Sequence, residues 1–147
     1  IYTLSLHDAL PISFIMLNGI LALCLRKKES ENNVSGNDAI QDNRIEQLTL
    51  VSRLLLYPAT FFLGAGIFLG AVWANVSWGR YWAWDPKEVW ALITFLVYGV
   101  AFHSQSLRIF RKPLFFHIYM ILAFLTVLMT YFGVNYVLGG MHSYANA

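Results

Sequence analysis

Two segments of the sequence, residues 54–74 and 114–134, contain no acidic or basic side chain apart from one histidine. Each matches the roughly 20 predominantly apolar residues that an α-helix needs to cross a bilayer. Between them, residues 86–105 carry charge only in their first turn. This pattern predicts an all-α integral membrane protein with three full transmembrane helices.

The amino-acid composition supports a membrane protein and excludes several other classes. Of the 147 residues, 58% are hydrophobic and 12% are charged, and the mean hydropathy is +0.55. Soluble domains carry about 25% charged residues, so this chain has too little polar surface for a soluble globule or a disordered chain. A formal net charge of +2 is too small to attract nucleic acid. The single cysteine, Cys24, excludes a disulfide framework and any multi-cysteine metal site.

The chain divides by composition into four parts. In order, they are a stretch resembling a translated sequencing-adapter scar (1–13), the end of a truncated membrane helix (14–25), a polar linker (26–53) and the main membrane domain (54–147). A short helix is expected near the end of the linker, at about residues 45–50. The main membrane domain contains an aromatic loop at residues 75–87, which is predicted to lie outside the membrane. Three full helices are few for a complete polytopic protein, and the sequence opens at Ile1, so we expect a C-terminal fragment of a longer protein.

The basic residues are unevenly distributed around the predicted spans. Eight lie in the linker and in the turn between the second and third spans, namely Arg26, Lys27, Lys28, Arg44, Arg53, Arg108, Arg111 and Lys112. Only Arg80 and Lys87 lie at the opposite end, beside the aromatic loop. Since cytoplasmic loops carry an excess of Lys and Arg, the loop and the C-terminus are predicted to face outward.

The aromatic loop has two interpretations. All five tryptophans fall within a short stretch, namely Trp73, Trp78, Trp82, Trp84 and Trp90, with Tyr81 among them. Trp and Tyr are enriched at membrane interfaces, so an anchoring belt is the simpler explanation. However, several of them sit inside the loop itself, more densely than anchoring requires. Such a cluster favours a flat, apolar surface for a planar aromatic ligand.

The acidic residues after the loop also have two interpretations. Asp85 and Glu88 suggest a carboxylate site, but they flank Pro86 in an arrangement typical of a helix start. Asp at the N-cap, Pro at the first helical position and Glu at the third form a capping box. We therefore favour a structural role that holds the loop in one orientation.

Three histidines outside the adapter-like stretch are candidate functional residues. His142 lies in the tail after the third span, where a solvated residue is the simpler interpretation. His103 stands about 26 Å along the helix from Pro86 at 1.5 Å per residue, near the far edge of a hydrocarbon core about 30 Å thick. An ionisable group there is a functional candidate, unless it only reaches the interface. His117 enters the next span from the same side, and we expect a structural role in which it packs or hydrogen-bonds near His103.

The loop WGRYWAWDPKEVWALITF, followed by His103 and by GVNYVLGGMHSY, closely resembles the cytochrome c assembly proteins of the CcsA/ResC type. Their external WWD signature has the form WGxYWxWDPKExWxLIT, and the likeness runs from about Leu54 to the C-terminus. The DPKE ending separates them from the related haem exporter and haem lyase subunits. The resemblance implies a bacterial inner-membrane protein that carries haem b across the membrane and presents it to apocytochrome c outside for thioether attachment. It also implies a CcsB/ResB-type membrane partner, separate or fused.

The resemblance further implies roles for individual residues. The external haem-binding surface maps onto Trp78, Gly79, Tyr81, Trp82, Trp84 and Asp85. The external histidine of the family falls on His142 and its intramembrane histidine on His103, both as axial ligands of haem iron. Two neutral imidazoles suit a six-coordinate haem. The task of such a protein is positioning, so no catalytic residue is assigned, and the chain is expected to be an inactive part of a holocytochrome c synthetase when alone.

Two other function classes stay open on the sequence. A transporter or channel segment would use the tryptophans as interfacial anchors and would need facing polar residues, but residues 54–74 offer only Tyr57 and Thr60. A purely structural membrane subunit would tolerate Phe in place of Trp82 or Trp84 with no loss of cytochrome c maturation.

Overall fold

The computed structural model describes residues 2–32, 38–105 and 107–138, and the regular secondary structure in these ranges is helical throughout. The α-helices are α1 (Tyr2–Asn32), α2 (Asp38–Trp78), α3 (Pro86–Val100) and α4 (Pro113–Leu128). Short 3₁₀ helices cover Ala101–Gln105 and Arg108–Arg111, and a π-helix, Met129–Leu138, extends α4. The predicted all-α class is confirmed.

Within the described residues, 3 helices are long and apolar enough to cross a membrane, through the windows Leu10–Lys27, Asp42–Trp78 and Pro113–Val134. The predicted number of spans is confirmed, but one of the three differs. Residues 14–25, interpreted as too short to span, belong to the 31-residue α1, whose membrane-spanning window is longer and starts at Leu10. The predicted span 86–105 has only 15 α-helical residues. Its α-helix tightens into the 3₁₀ segment, where His103 leaves helical geometry with φ −81° and ψ 19°.

The polar stretch predicted as a linker is largely helical. α1 continues to Asn32 and α2 begins at Asp38, well before the apolar run at residue 54. Contacts from distant parts of the chain support the polar half of α2: Arg53 Nη2 donates to the Phe110 carbonyl at 3.0 Å, and Thr49 Oγ1 lies 2.9 Å from His117 Nε2. A local sequence pattern does not contain such contacts, so the sequence predicted only a short helix at about residues 45–50 and missed the full extent of α2.

The contact between Arg53 and Phe110 also fixes the relative position of the two basic segments. It joins the polar half of α2 to the 3₁₀ helix Arg108–Arg111 at one end of the bundle. The charge pattern predicted that these segments share a side, and the structure agrees. The aromatic loop connects α2 and α3 at the other end.

The buried core lies where α1, α2 and α4 meet, with contributions from α3 and both 3₁₀ helices. Its members are Ile12, Ile15, Leu56, Ala59, Tyr98, Ala101, Phe110, Phe116, Met120 and Ala123. Tyr119 Oη donates to the Val97 carbonyl at 2.7 Å and ties α4 to α3. At Gly64 a Cβ would lie 2.9 Å from Phe95 Cε2, so the missing side chain permits the close approach of α2 and α3.

Candidate functional site

The aromatic loop begins where α2 ends at Trp78. The next residue, Gly79, adopts φ +71°, and its N–H donates to the Asn75 carbonyl at 2.9 Å. A left-handed glycine after the last helical residue is a common way to end a helix. No heavy atom lies within 4 Å of a Cβ built on Gly79, so the position requires glycine for its backbone conformation, not for space.

The loop ends at a capping box that confirms the interpretation of the acidic residues. Asp85 is the N-cap of α3, and its Oδ2 accepts from the Lys87 N–H at 3.3 Å. Glu88 Oε2 accepts from the Asp85 N–H at 3.3 Å and also from the Ala83 N–H at 2.8 Å. The last bond goes beyond the usual capping box, since it fastens the interior of the loop to the first turn of α3. The carboxylates thereby hold the loop against the helix.

The loop presents its aromatic side chains in edge-to-face pairs. Trp82 and Trp84 lie with ring centroids 6.1 Å apart and planes at 85°. Trp73 and Trp78, on the last turns of α2, lie 5.0 Å apart at 84°. Trp84 is 75% exposed and Tyr81 is 60% exposed. Exposed indole and phenol rings on a fixed loop form an apolar surface available to a ligand or partner.

Trp84 has an unusual backbone conformation. Its φ is +56°, a left-handed value that is an outlier for a bulky side chain and typically costs about 1–3 kcal/mol. The Ala83 bond on one side and the buried Asp85 cap on the other constrain the backbone there. Nothing in the sequence indicated this strain, because a capping motif does not specify the φ of the residue before it.

The structure separates His103 from the aromatic loop. The loop precedes α3, whereas His103 is an exposed residue of the 3₁₀ helix after it. The 15 residues of α3 are about 22 Å long at 1.5 Å per residue. The His103 carbonyl accepts from the Leu107 N–H at 2.9 Å. His142, the other predicted ligand, lies outside the described residues.

The π-helix Met129–Leu138 is hydrogen-bonded to α3 near the end of α3 that follows the loop. Thr94 Oγ1 and Thr130 Oγ1 lie 3.0 Å apart, and each hydroxyl is also within hydrogen-bond reach of the Trp90 carbonyl, at 2.8 and 3.3 Å. This polar contact joins the helix that starts at the loop to the helix that leads towards the C-terminal tail. Two isolated threonines in apolar segments carry no distinctive signal, so the sequence does not predict this contact.

His117 is buried and has a different neighbour from the one expected. Thr49 Oγ1 donates to the Ile45 carbonyl at 2.7 Å and lies 2.9 Å from His117 Nε2. The Thr49 hydroxyl thus contacts both the backbone of α2 and the His117 ring. Among the described residues no contact joins His117 to His103. The imidazole therefore links α4 to α2, in line with the structural role favoured from the sequence.

No group of three or more His, Cys, Asp or Glu side chains in the described part of the chain is arranged to hold a metal ion. The described residues offer exposed aromatic rings at the loop and one exposed imidazole at the far end of α3. The fold and the loop together define a class, a helical membrane protein with a tryptophan-rich loop between two of its helices.

Comparison with known proteins identifies the family within that class. The model of the cytochrome C assembly protein family matches residues 9–142. The chain is 46% identical over 104 residues to Protein NrfI of Wolinella succinogenes, covering 71% of this chain and 12% of that protein. It is 43% identical over 102 residues to the cytochrome c biogenesis protein CcsA of Solanum lycopersicum, covering 69% and 32% of the two chains. Against CcsA of Prochlorococcus marinus it is 38% identical over 118 residues, covering 79% and 36%.

The chain belongs to the cytochrome c assembly protein family. It spans about a third of the CcsA proteins that it matches and a smaller part of NrfI.

Proposed function

We propose that this chain is the haem-presenting part of a cytochrome c biogenesis protein. In this proposal it binds haem b both within and outside the membrane and presents it to apocytochrome c. The observation that carries the proposal is the exposed aromatic surface of the loop, which is fixed by the Glu88 hydrogen bonds to Ala83 and Asp85. Membership of the cytochrome c assembly protein family supports a role in cytochrome c biogenesis.

Haem acts here as the substrate, and the chain supplies its position. Thioether attachment adds a cysteine thiol of the apocytochrome across each haem vinyl group, forming a carbon–sulfur bond while the thiol proton goes to the neighbouring vinyl carbon. Trp78, Tyr81, Trp82 and Trp84 would contact the faces and edge of the porphyrin through apolar rings. Holding the haem vinyl groups and the cysteine thiols in a fixed geometry would accelerate this addition. Asp85 and Gly79 would act indirectly, by holding the loop ends.

Two histidines are the proposed axial ligands of two different haem positions. His142 would ligate the external haem beside the loop, and His103 would ligate a haem at the membrane-embedded position. The separation of His103 from the loop by the length of α3 supports two positions over one shared one. A neutral imidazole is a suitable axial ligand for haem iron.

The proposed setting is the bacterial inner membrane, with the loop and the C-terminus on the periplasmic side. The basic segments at the opposite end of the bundle support this orientation, because positive residues collect in the cytoplasm. The proposed partners are apocytochrome c and a CcsB/ResB-type membrane protein, separate or fused. Large exposed apolar side chains along α2, such as Phe61 and Phe68, both 70% exposed, leave surface for lipid and for such a partner.

The test is the absorption spectrum of the full-length protein that contains this chain, purified in detergent after expression with sufficient haem. We expect a Soret band whose intensity per protein falls severalfold in Trp84→Ala and Trp82→Ala. Phe68→Ala is the matched control for Trp84→Ala, because it removes a ring of similar exposure from α2, outside the loop. Absence of the Soret band in the unmodified protein would contradict haem handling. An equal fall in Soret intensity for Phe68→Ala and for the loop variants would contradict a haem-binding role of the loop.

A further inference from the structure

A cavity of about 530 Å³ opens at the end of the bundle opposite the aromatic loop. It lies between the polar half of α2 and the turn that precedes α4, and its polar lining consists of Asn43, Glu46, Gln47, Thr49, Arg53 and Arg111. Sites for small molecules typically have volumes of about 300–1,000 Å³. The cavity is therefore large enough for a compact polar group, and the function proposed above does not use it.

Arg53 in the wall of this cavity is a half-buried cation without a carboxylate partner. Its Nη2 donates to the Phe110 carbonyl at 3.0 Å, and its Cζ lies 5.3 Å from the centroid of the Phe116 ring. Its Nε is buried and makes no hydrogen bond. Within the described part of the chain these contacts include no carboxylate. A charge withdrawn from water in this way is stabilised by an anion that binds beside it.

The charge and chemistry of the lining fit one phosphate ester. Arg53 and Arg111 contribute two positive charges and Glu46 one negative charge, so the lining carries a formal charge of about +1, equal and opposite to one phosphodiester. Guanidinium groups bind phosphate oxygens through paired N–H donors. The amides of Asn43 and Gln47 and the carboxylate of Glu46 provide donors and acceptors for the hydroxyl groups of a headgroup.

The cavity also lies at the depth of lipid headgroups. Arg53 precedes Trp73 by about 30 Å along α2 at 1.5 Å per residue, which equals the thickness of the hydrocarbon core. Tryptophans prefer the membrane interface, so Trp73 at one interface places Arg53 at the other. Basic pockets between membrane helices are suited to anionic lipid headgroups.

We propose that this cavity binds the phosphate group of an anionic phospholipid, with Arg53 and Arg111 as the phosphate ligands. The bound lipid would join the polar half of α2 to the turn before α4. The proposal does not depend on haem binding, and its readout is lipid retention, so its failure is distinguishable from failure of the function proposed above.

The test uses the full-length protein in nanodiscs made from equal parts of phosphatidylglycerol and phosphatidylcholine, with retained lipid identified by native mass spectrometry. We expect enrichment of phosphatidylglycerol, and a fall of about tenfold or more in that enrichment for Arg53→Gln, because charge-assisted hydrogen bonds are lost. Arg111→Gln is a second variant, at an exposed position. Arg108→Gln is the matched control, since it removes the same charge from the same 3₁₀ helix but lies outside the cavity lining.

Two results would overturn the proposal. Equal losses in Arg108→Gln and Arg111→Gln would mean that lipid is attracted by general surface charge and not by this cavity. Arg53-dependent binding of inorganic phosphate or glycerol 3-phosphate in calorimetry, with no enrichment of phosphatidylglycerol, would assign the cavity to a soluble phosphate and overturn the lipid assignment.

Discussion

The side-chain Oε2 of Glu88 accepts a hydrogen bond from the backbone N–H of Ala83 at 2.8 Å. Ala83 stands between Trp82 and Trp84, so this bond fixes the segment that carries the edge-to-face pair of indole rings. The same oxygen accepts from the Asp85 N–H at 3.3 Å. One carboxylate thus connects the start of α3 to the part of the loop that would contact a ligand.

Replacing Glu88 tests whether this carboxylate orders the loop. In Glu88→Ala the N–H groups of Ala83 and Asp85 lose their acceptor, at a cost of about 1 kcal/mol for a helix-capping interaction. Hydrogen–deuterium exchange should then be faster at these two amides, with lower haem retention. Glu88→Gln keeps a side-chain carbonyl oxygen as acceptor and should stay close to the unmodified protein. Equal exchange in both variants would contradict the ordering role.

Glycine substitutions should have opposite effects at the end of α2 and inside α3. Gly79 has φ +71°, so Gly79→Ala should destabilise the protein by about 1 kcal/mol, because an L-residue disfavours left-handed backbone. Gly99 is helical and has open space around a Cβ, so Gly99→Ala should stabilise by roughly 0.5–1 kcal/mol. Thermal unfolding in one detergent measures both. A lower Tm for Gly99→Ala than for Gly79→Ala would contradict the prediction.

The left-handed backbone of Trp84 makes a separate prediction about strain. Because this side chain is 75% exposed, its removal loses little burial, and the backbone dominates the change in stability. Trp84→Gly relieves the strained φ whereas Trp84→Ala retains it, so the glycine variant should be more stable than the alanine variant by about 1 kcal/mol. Both should lose haem retention to a similar extent. A more stable alanine variant would show that the residue is not left-handed in the protein.

Local motifs at the loop were predictable from the sequence, whereas contacts between distant residues were not. The cap at Asp85 was predicted because Asp, Pro and Glu at fixed spacing determine a helix start through neighbouring backbone groups. The shared side of the two basic segments was also predicted, since charge distribution alone indicates it.

The extent of α2 and the partner of His117 depend on tertiary structure. The polar half of α2 is held by Arg53 at the Phe110 carbonyl, a contact across 57 positions, and by Thr49 at His117, across 68 positions. Neither pair forms a local pattern, so the polar composition of residues 26–53 indicated a linker. Tertiary contacts override such local preferences.

The contact between Thr49 and His117 predicts a specific loss of stability. Thr49→Val leaves the buried Nε2 of His117 without its hydrogen-bond partner, which costs about 1–3 kcal/mol. Thr60→Val is the matched control, because Thr60 is also buried and donates to the carbonyl four residues earlier, at 2.8 Å, but lies outside the contacts of His117. Thermal unfolding should show the larger loss for Thr49→Val. A double-mutant cycle with His117→Leu should show coupling for Thr49 only.

The two ligand histidines should respond differently to substitution and to added imidazole. If His142 ligates the external haem, His142→Ala leaves an open axial position near solvent, and imidazole should fill it and restore cytochrome c maturation. His103 lies at the far end of α3 from the loop, so His103→Ala should instead lower the amount of haem that reaches the external site. Maturation assays and Soret absorbance in the full-length protein, each with and without imidazole, measure both effects.

The outcome for His142 decides between two arrangements of the external site. Normal maturation in His142→Ala without imidazole would exclude an axial role for that residue. The aromatic loop would then hold haem with iron ligands supplied only from outside this chain, and the Trp84 variants would still lose haem. His117→Ala is the internal control, because its imidazole is buried against Thr49 and is assigned to neither haem position. His117→Ala should lower the Tm, and added imidazole should not restore the Tm.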